Sequence, residues 1–144
     1  MAFFMPIDLQ HIEQLFSDIQ NYESKKYLLA VSGGVDSMVL LDVFRQARLN
    51  FSVAHCNFKL RDEQSDLDEQ FVLETCKKNK IDCQSISFDT KEYKNRKKIS
   101  TQMAARELRY NWFQGLMRNF DFLVTAHHLD DNIETVLLNL TRGT

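Results

Sequence analysis

Two spacings of apolar residues alternate along the chain. Short continuous apolar runs at 27–31 and 122–126 predict strands buried on both faces of a sheet, and two further strands are predicted at 51–55 and 81–88. Longer segments with an apolar residue every three or four positions predict amphipathic helices, at 8–23, 36–47, 65–79, 101–120 and 130–142. Residues 91–100 show neither spacing, so we expect them to be irregular.

The alternation of strands with long helices predicts the fold class. Parallel neighbouring strands need long crossover connections, so the pattern indicates an α/β fold with a doubly wound parallel sheet and helices on both faces. Ligands of such sheets bind beyond the carboxyl ends of the strands. The segments that follow Val31, Ala54 and Ala126 are therefore the places where functional residues are expected.

The first of these segments has the composition of a phosphate-binding loop. Its sequence is Ser32-Gly33-Gly34-Val35-Asp36-Ser37, between a strand and a helix. Two glycines allow a tight turn whose N–H groups reach an anion, and the helix N-terminus adds partial positive charge. The hydroxyls of Ser32 and Ser37 are further donors, and the Asp36 carboxylate suits a Mg²⁺ ion that bridges phosphates. The alternative is an ordinary strand-to-helix turn in which Asp36 caps the helix.

Composition limits the class of protein. The 144 residues, 44% of them hydrophobic, predict one globular domain over 1–144. The formal net charge of -2 gives no general sign of a nucleic-acid partner, so any such contact must be local. Cys56, Cys76 and Cys83 form no C-x-x-C pair, which favours a reducing, cytoplasmic setting over a disulfide framework or a four-thiolate metal site. No apolar run approaches the ~20 residues that cross a bilayer, so neither export nor membrane insertion is expected.

Two acids near the end of the chain suggest an amine site. On a helix, Asp131 and Glu134 would share one face and could hold an ammonium ion between them. The alternative is that they only complement the dipole of the helix N-terminus. His127 and His128 lie beside them, but adjacent histidines point in different directions, so a zinc site is not favoured.

Other chemically capable residues are scattered along the chain. Arg106 is a candidate for phosphate contact because a guanidinium pairs with phosphate bidentately, whereas Arg109 and Glu107 are expected on a solvated helix face. His55 follows the second strand and either reaches the nucleotide or is a satisfied strand-end histidine. Cys56 has no activating base nearby in the sequence and is expected to be structural.

The string Ser-Gly-Gly-x-Asp-Ser resembles the signature of the ATP pyrophosphatase, or PP-loop, superfamily. That resemblance implies an adenine nucleotide α-hydrolase-like fold, ATP cleavage between the α and β phosphates, and an adenylated intermediate. From about residue 26 onward the chain also resembles the tRNA(Ile)-lysidine synthetase family. The motifs that carry this second resemblance are His55-x-Asn57-x-x-Leu60-Arg61, Ala104-Ala105-Arg106-x-x-Arg109-Tyr110, His128-x-x-Asp131-x-x-Glu134-Thr135 and Arg142-Gly143-Thr144.

The second resemblance implies a reaction and roles for particular residues. The family uses ATP and Mg²⁺ to adenylate the C2 carbonyl oxygen of the wobble cytidine in the CAU anticodon of tRNA(Ile), after which the ε-amine of L-lysine displaces AMP. By resemblance, residues 32–37 and His55 bind ATP, Asp36 holds Mg²⁺ and Arg106 contacts the activated intermediate. The lysine substrate is assigned to His128, Asp131 and Glu134.

The chain departs from this family in two respects. Members usually have a His-Gly pair or similar after the asparagine, where this chain has Asn57-Phe58-Lys59. Members are also longer, with C-terminal tRNA-binding domains, so we expect the chain to be part of a longer protein. Its basic segment 94–98 either contacts the RNA backbone or is a solvated loop.

Three alternative functions stay open at this point. A tRNA 2-thiolation enzyme shares the His-His-x-Asp-Asp-x-x-Glu-Thr run but needs cysteine pairs that this stretch lacks. Amide-forming synthetases that use glutamine-derived ammonia match the motifs less well. A non-catalytic nucleotide- or RNA-binding module is the third alternative. The sequence leaves the oligomeric state open.

Overall fold

A five-stranded sheet forms the centre of the molecule. The computed structural model describes residues 16–17, 19–129 and 132–138. Its strands are Lys26–Ala30 (β1), Asn50–Asn57 (β2), Cys83–Ser87 (β3), Phe122–Leu129 (β4) and Asn132–Leu138 (β5). Its helices are Val35–Gln46 (α1), Glu63–Lys78 (α2), Thr90–Lys97 (α3) and Thr101–Leu116 (α4), with 3-10 turns at Tyr22–Ser24 and Met117–Asn119.

The strand order is β3-β2-β1-β4-β5, so the first strand of the chain is the middle strand of the sheet. Strand β1 pairs in parallel with β2 on one side and with β4 on the other, and Leu29 stands between Val53 and Val124. With neighbours on both sides and helices on both faces, Tyr27, Leu28 and Leu29 are fully buried, which explains the apolar run of β1 after the exposed Lys26.

Two hydrophobic clusters cover the two faces of the sheet. Because successive side chains of a strand point to opposite faces, Leu29 joins a cluster with Phe44 of α1 and Val72 of α2. Leu28 joins a second cluster with Phe113 of α4 and with Met117. These clusters confirm the predicted α/β fold with helices on both faces.

The basic segment after β3 is helical, which corrects the expectation of an irregular stretch. Helix α3 begins after Asp89, whose side chain accepts a hydrogen bond from the N–H of Glu92. It ends at Lys97 and is followed by Lys98, whose φ of 57° is left-handed. Capping and a Glu92–Arg96 ion pair at 3.0 Å support this helix in place of an apolar face, so hydrophobic spacing did not reveal it.

The described end of the first predicted helix is not an α-helix. Residues 16, 17 and 19–21 form turns that lead into the 3-10 turn, and the rest of the predicted segment 8–23 lies outside the described residues. The ring of Phe16 is fully buried and stacks on Tyr27 with centroids 5.2 Å apart. Asn21 has a left-handed φ of 59°, a conformation that interrupts an α-helix.

The helix predicted at 130–142 is wrong in its described part, because Asn132–Leu138 forms strand β5. This strand pairs antiparallel with β4, so that Glu134 stands opposite His127. Ile133, Thr135 and Val136 are β-branched and suit a strand, and the backbone of β4 offers them an edge to pair with. Among the described residues, no helix has the length and apolar character needed to cross a membrane.

Candidate functional site

The loop between β1 and α1 is organised by the hydroxyl group of Ser37. This side chain is 5% exposed, and its Oγ accepts hydrogen bonds from the N–H groups of Ser32 at 3.2 Å and Gly33 at 3.1 Å. It also donates to the carbonyl of Gly34 at 3.0 Å. The N–H of Gly34 in turn donates to Oγ of Ser32 at 3.2 Å. Two serine hydroxyls therefore fix the path of the turn from inside.

Gly33 is the residue whose lack of a side chain the loop requires. Its φ is +97°, which an L side chain rarely adopts. A Cβ atom there would lie 3.3 Å from Cβ of Asp68 and 3.4 Å from the Asp68 carbonyl oxygen. The loop therefore packs directly against α2, and the turn depends on both the conformation and the small size of glycine.

The hydrogen bonds of the turn leave the first amides of α1 for a ligand. Within the described part of the chain, no acceptor takes the N–H groups of Val35, Asp36 or Ser37, and the first amide bonded within the helix is that of Met38, to Gly34 at 3.0 Å. Free donors at the positive end of a helix bind phosphate. The amides of Val35, Asp36 and Ser37 are therefore available to an anion, whereas the single proton of the Ser37 hydroxyl is already donated to the Gly34 carbonyl.

Asp36 lies in the first turn of α1 and is partly exposed. Protein Mg²⁺ sites commonly use one or two carboxylates together with substrate phosphates, and a single carboxylate beside free phosphate-binding amides fits that pattern. The described residues include no cluster of three or more His, Cys, Asp or Glu side chains suited to a metal. Asp36 therefore fits a cation that is held jointly with phosphates.

A cavity of about 740 Å³ opens at this loop. Its wall includes Ser32 and Ser37 from the loop, Arg106 from α4 and Thr125 from β4. The predicted phosphate loop and the predicted phosphate-binding arginine therefore face one space. The remaining lining residues are Ala30, Val31, Ala54, Cys56, Phe58, Gln102, Arg109, Tyr110, Phe113, Leu123 and Ala126.

One face of α4 forms a cationic wall of the cavity. Arg106 and Arg109 both line it, which corrects the expectation that Arg109 belongs only to a solvated face. Neither guanidinium makes an ion pair with a carboxylate in the described part of the chain. Glu107 points elsewhere and accepts a hydrogen bond from the Tyr93 hydroxyl at 2.8 Å. The cavity therefore carries two cations that an anionic ligand can neutralise.

His55 is buried behind the loop and does not line the cavity. It is 2% exposed, and its Nδ1 lies 2.8 Å from the carbonyl oxygen of Val31. Since a carbonyl only accepts, Nδ1 carries the proton of this bond. Nε2 has no partner among the described residues, and neither has Oγ1 of Thr125, a buried atom on a residue of the cavity wall. His55 thus supports the strand end from which the loop begins.

Cys56 lines the cavity, but its thiol is poorly suited to act as a nucleophile. Burial raises its pKa to about 12, although the nearby Arg109 opposes the shift. The thiolate is the nucleophilic form of cysteine, so this thiol stays protonated near neutral pH. The structural role expected for Cys56 agrees with this environment.

A polar network holds the segment that follows β2. Asn57 is 1% exposed, and its side-chain amide donates to Asp66 at 2.9 Å and Glu69 at 3.2 Å on α2. Its side-chain oxygen accepts from the N–H of Lys59 at 3.0 Å, and Nζ of Lys59 lies 2.6 Å from Asp66. The hydrogen bond from Lys59, followed by that from Asn57, lowers the pKa of Asp66. The sequence singled out Asn57 only as a motif residue, and its burial explains why an amide is needed there.

The predicted lysine-binding residues are not brought together on a helix. Glu134 lies in β5 and His128 in β4, and their side chains, like the whole of Asp131, lie outside the described residues. The helical spacing from which an amine site was inferred is absent at Glu134 because that segment is a strand. Their proposed role therefore depends on the family resemblance alone.

Comparisons with known proteins agree with the loop and the fold. A family model described as a PP-loop domain matches residues 7–144. The tRNA(Ile)-lysidine synthase of Bacteroides thetaiotaomicron is 48% identical over 121 residues, which cover 83% of this chain and 28% of that protein. The synthase of Chlorobaculum tepidum is 47% identical and that of Petrotoga mobilis 39% identical. The chain spans 37% and 47% of the length of these two relatives, respectively.

A solved structure supports the fold at a greater distance. The NMN synthetase of Francisella tularensis superposes with a TM-score of 0.59 at 16% sequence identity, over 83% of this chain and 54% of that one. At this identity the likeness concerns the fold alone. The family match covers nearly the whole chain and includes the glycine turn, the free helix amides and the serine hydroxyls described above. The chain therefore belongs to the PP-loop domain family, and that membership implies ATP as the ligand of the loop.

Proposed function

We propose that the chain is the ATP-handling domain of an enzyme that attaches lysine to the wobble cytidine of tRNA(Ile) with a CAU anticodon. The observation that carries the proposal is the cavity shared by the phosphate loop and Arg106 of α4, whose guanidinium makes no ion pair within the described part of the chain. The relatives named tRNA(Ile)-lysidine synthase support the choice of substrates.

The first step is adenylation of the cytidine. The C2 carbonyl oxygen attacks the α-phosphorus of ATP, the bond between the α-phosphorus and its bridging oxygen breaks, and pyrophosphate leaves. The amides of Val35, Asp36 and Ser37 hold the departing phosphates, and Arg106 neutralises charge that develops on the α-phosphate. Asp36 would hold Mg²⁺, which supplies positive charge to the phosphates.

The second step forms the carbon–nitrogen bond. The ε-amine of lysine attacks C2, the C2–oxygen bond breaks, AMP leaves with that oxygen, and the amine gives up its protons to solvent or a base. Adenylation is needed because the carbonyl oxygen is otherwise a poor leaving group. We assign the lysine to His128, Asp131 and Glu134 by family resemblance, since carboxylates complement an ammonium ion.

The test is the release of AMP from ATP by the protein that contains this chain. We expect release to require both lysine and RNA with a CAU anticodon. Asp36→Asn should lower the rate by at least ~100-fold, because it removes a charged group that acts in the transition state. Asp42→Asn is the matched control on the same helix, because Asp42 contacts only neighbours on the surface of α1, Arg45 at 2.7 Å and Gln46 at 2.6 Å.

Three outcomes would count against this function. Release of AMP that does not depend on lysine would contradict the second step. Incorporation of sulfur into the RNA would assign the protein to the 2-thiolation enzymes. Normal activity of Asp36→Asn would remove Asp36 from the site.

A further inference from the structure

The wall of the cavity carries two pairs of cationic and aromatic side chains. Cζ of Arg109 lies 5.8 Å from the centroid of the Phe58 ring, and Cζ of Arg106 lies 5.9 Å from that of Tyr110. All four residues line the cavity, and we call them the cation-aromatic rim. Tyr110 is 42% exposed and both arginines are exposed, so the rim faces outward as well as into the cavity.

Phe58 is held in place from below. Its ring stacks on Phe88 with centroids 5.6 Å apart and an angle of 23° between the ring planes. Its carbonyl oxygen accepts a hydrogen bond from the Thr90 hydroxyl at 2.7 Å, and the N–H of Phe88 donates to the Asn57 carbonyl at 2.8 Å. Phe58 therefore gives the guanidinium of Arg109 a fixed surface at low cost in side-chain entropy.

Arg109 and Phe58 are the pair of the rim that is not assigned to phosphate, because Arg106 is assigned to the α-phosphate. Ser32 and Ser37 mark the phosphate end, where the amides of α1 would bind the triphosphate. A base that is part of an RNA chain must enter from the open side while its backbone stays outside. Helix α3 is joined to both elements that carry this pair, because its Tyr93 bonds to Glu107 of α4 and its Thr90 bonds to the carbonyl of Phe58.

We propose that Arg109, supported by Phe58, is the stacking platform for the RNA base that enters the cavity to be modified. Guanidinium planes and aromatic rings are the surfaces on which proteins stack unpaired RNA bases. This inference rests on the proposed function for the identity of the base, which there is a cytidine. It assigns the base-binding role to a residue that the phosphate chemistry does not use.

The test uses an anticodon stem-loop RNA with a fluorescent cytidine analogue at the wobble position, together with the protein that contains this chain. Stacking on the platform should quench the analogue when the RNA binds, with no need for lysine or turnover. Arg109→Lys keeps the charge but loses the plane, and Phe58→Leu keeps apolar volume but loses the ring. Each should remove most of the quench and weaken RNA binding roughly tenfold.

Two controls define the result. Arg45→Lys, on the outer surface of α1, should leave the quench and the RNA affinity unchanged, and ATP affinity should stay within about twofold in every variant. The proposal is overturned if the unaltered protein gives no quench, if Arg109→Lys keeps it, or if ATP affinity falls as much as RNA affinity. An equal loss of ATP affinity would indicate that the adenine of ATP, and not the RNA base, stacks on Arg109. Failure of lysine-dependent AMP release, with the quench and its loss in Arg109→Lys intact, would refute the proposed reaction but leave the platform supported.

Discussion

At the scale of single residues, the phosphate loop depends on groups that bind to each other before any ligand arrives. The Ser37 hydroxyl oxygen accepts hydrogen bonds from the N–H groups of Ser32 and Gly33, so these two donors are satisfied within the turn. The next N–H groups, those of Val35, Asp36 and Ser37 at the start of α1, remain available to bind phosphates. Such internal bonding pre-organises the loop, which reduces the entropy that a ligand must remove on binding.

Gly33 allows a sharp test of this arrangement, with Gly115 as its matched control. Gly33→Ala should lower the free energy of unfolding by about 1–3 kcal/mol, because it forces a left-handed conformation on alanine and crowds Asp68. Gly115→Ala should instead raise it by about 0.5–1 kcal/mol, because Gly115 lies within α4 with nothing within 4 Å of an added Cβ.

Urea denaturation of the two variants, together with calorimetric titration by ATP, measures both effects. We expect Gly33→Ala to lose ATP affinity and Gly115→Ala to keep it. Equal stability changes in the two variants would show that the turn does not depend on the conformation of Gly33.

At the scale of elements, the loop after β2 is tied to α2 by charge and hydrogen bonding rather than by apolar packing. Lys59 has a left-handed φ of 54°, and its ammonium group returns to Asp66 on α2. Asn57 fills the buried position between them. Because this segment continues into Phe58, the network also positions one side of the cavity mouth.

This network should make stability depend on pH through Asp66. Hydrogen bonds from Lys59 and then Asn57 lower its pKa in the folded state. An acid whose pKa is lower in the folded state than in the unfolded state stabilises the fold in its ionised form. That contribution is complete above the pKa of the unfolded state, about 3.9, and is lost as the pH falls through the pKa of the folded state. Asp66→Asn should therefore destabilise the protein at pH 7, and the difference from the unaltered protein should shrink toward pH 3.

Urea unfolding of both proteins across that pH range is the measurement. A difference that stays constant with pH would mean that ionisation of Asp66 does not contribute to the fold.

Helix α3 and strand β5 show which elements the sequence pattern could not identify. Apolar spacing reveals a helix only when one face of the helix is buried, and α3 has only Thr90 buried among its eight residues. Its stability comes from the Asp89 cap and from contacts such as the one between Tyr93 and Glu107. Residues 132–138 form a strand because they pair with β4. That pairing depends on the three-dimensional structure and is not visible in the local sequence pattern.

At the scale of the whole molecule, the order of the sheet brings the functional segments together. With β1 in the centre between β2 and β4, the residues after Val31 and after Ala54 and the end of β4 meet at one edge. This arrangement could be predicted from the sequence for two reasons. The central strands have apolar runs, and ligands of parallel α/β sheets bind beyond the carboxyl ends of the strands. The α/β fold and the place of the phosphate loop were predictable for these reasons, whereas Arg106 was singled out because a guanidinium pairs with phosphate.

Other parts of the site depended on side-chain geometry that sequence spacing does not contain. Arg109 faces the cavity only because Gln102, Arg106 and Tyr110 share its face of α4 and that face lies over β1 and β4. His55 was predicted near the nucleotide, yet its ring is directed to the Val31 carbonyl. Such differences arise because a side chain at the carboxyl end of a strand can point to either face of the sheet.

The central claim is that the protein joins lysine to the wobble cytidine of a CAU anticodon. The most direct measurement is mass spectrometry of that nucleoside after incubation of the RNA with ATP, lysine and the protein that contains this chain. The proposal predicts a cytidine whose mass has increased by one lysine less one water, with AMP and pyrophosphate formed in equal amounts. An unmodified cytidine, or one that carries sulfur, would contradict it.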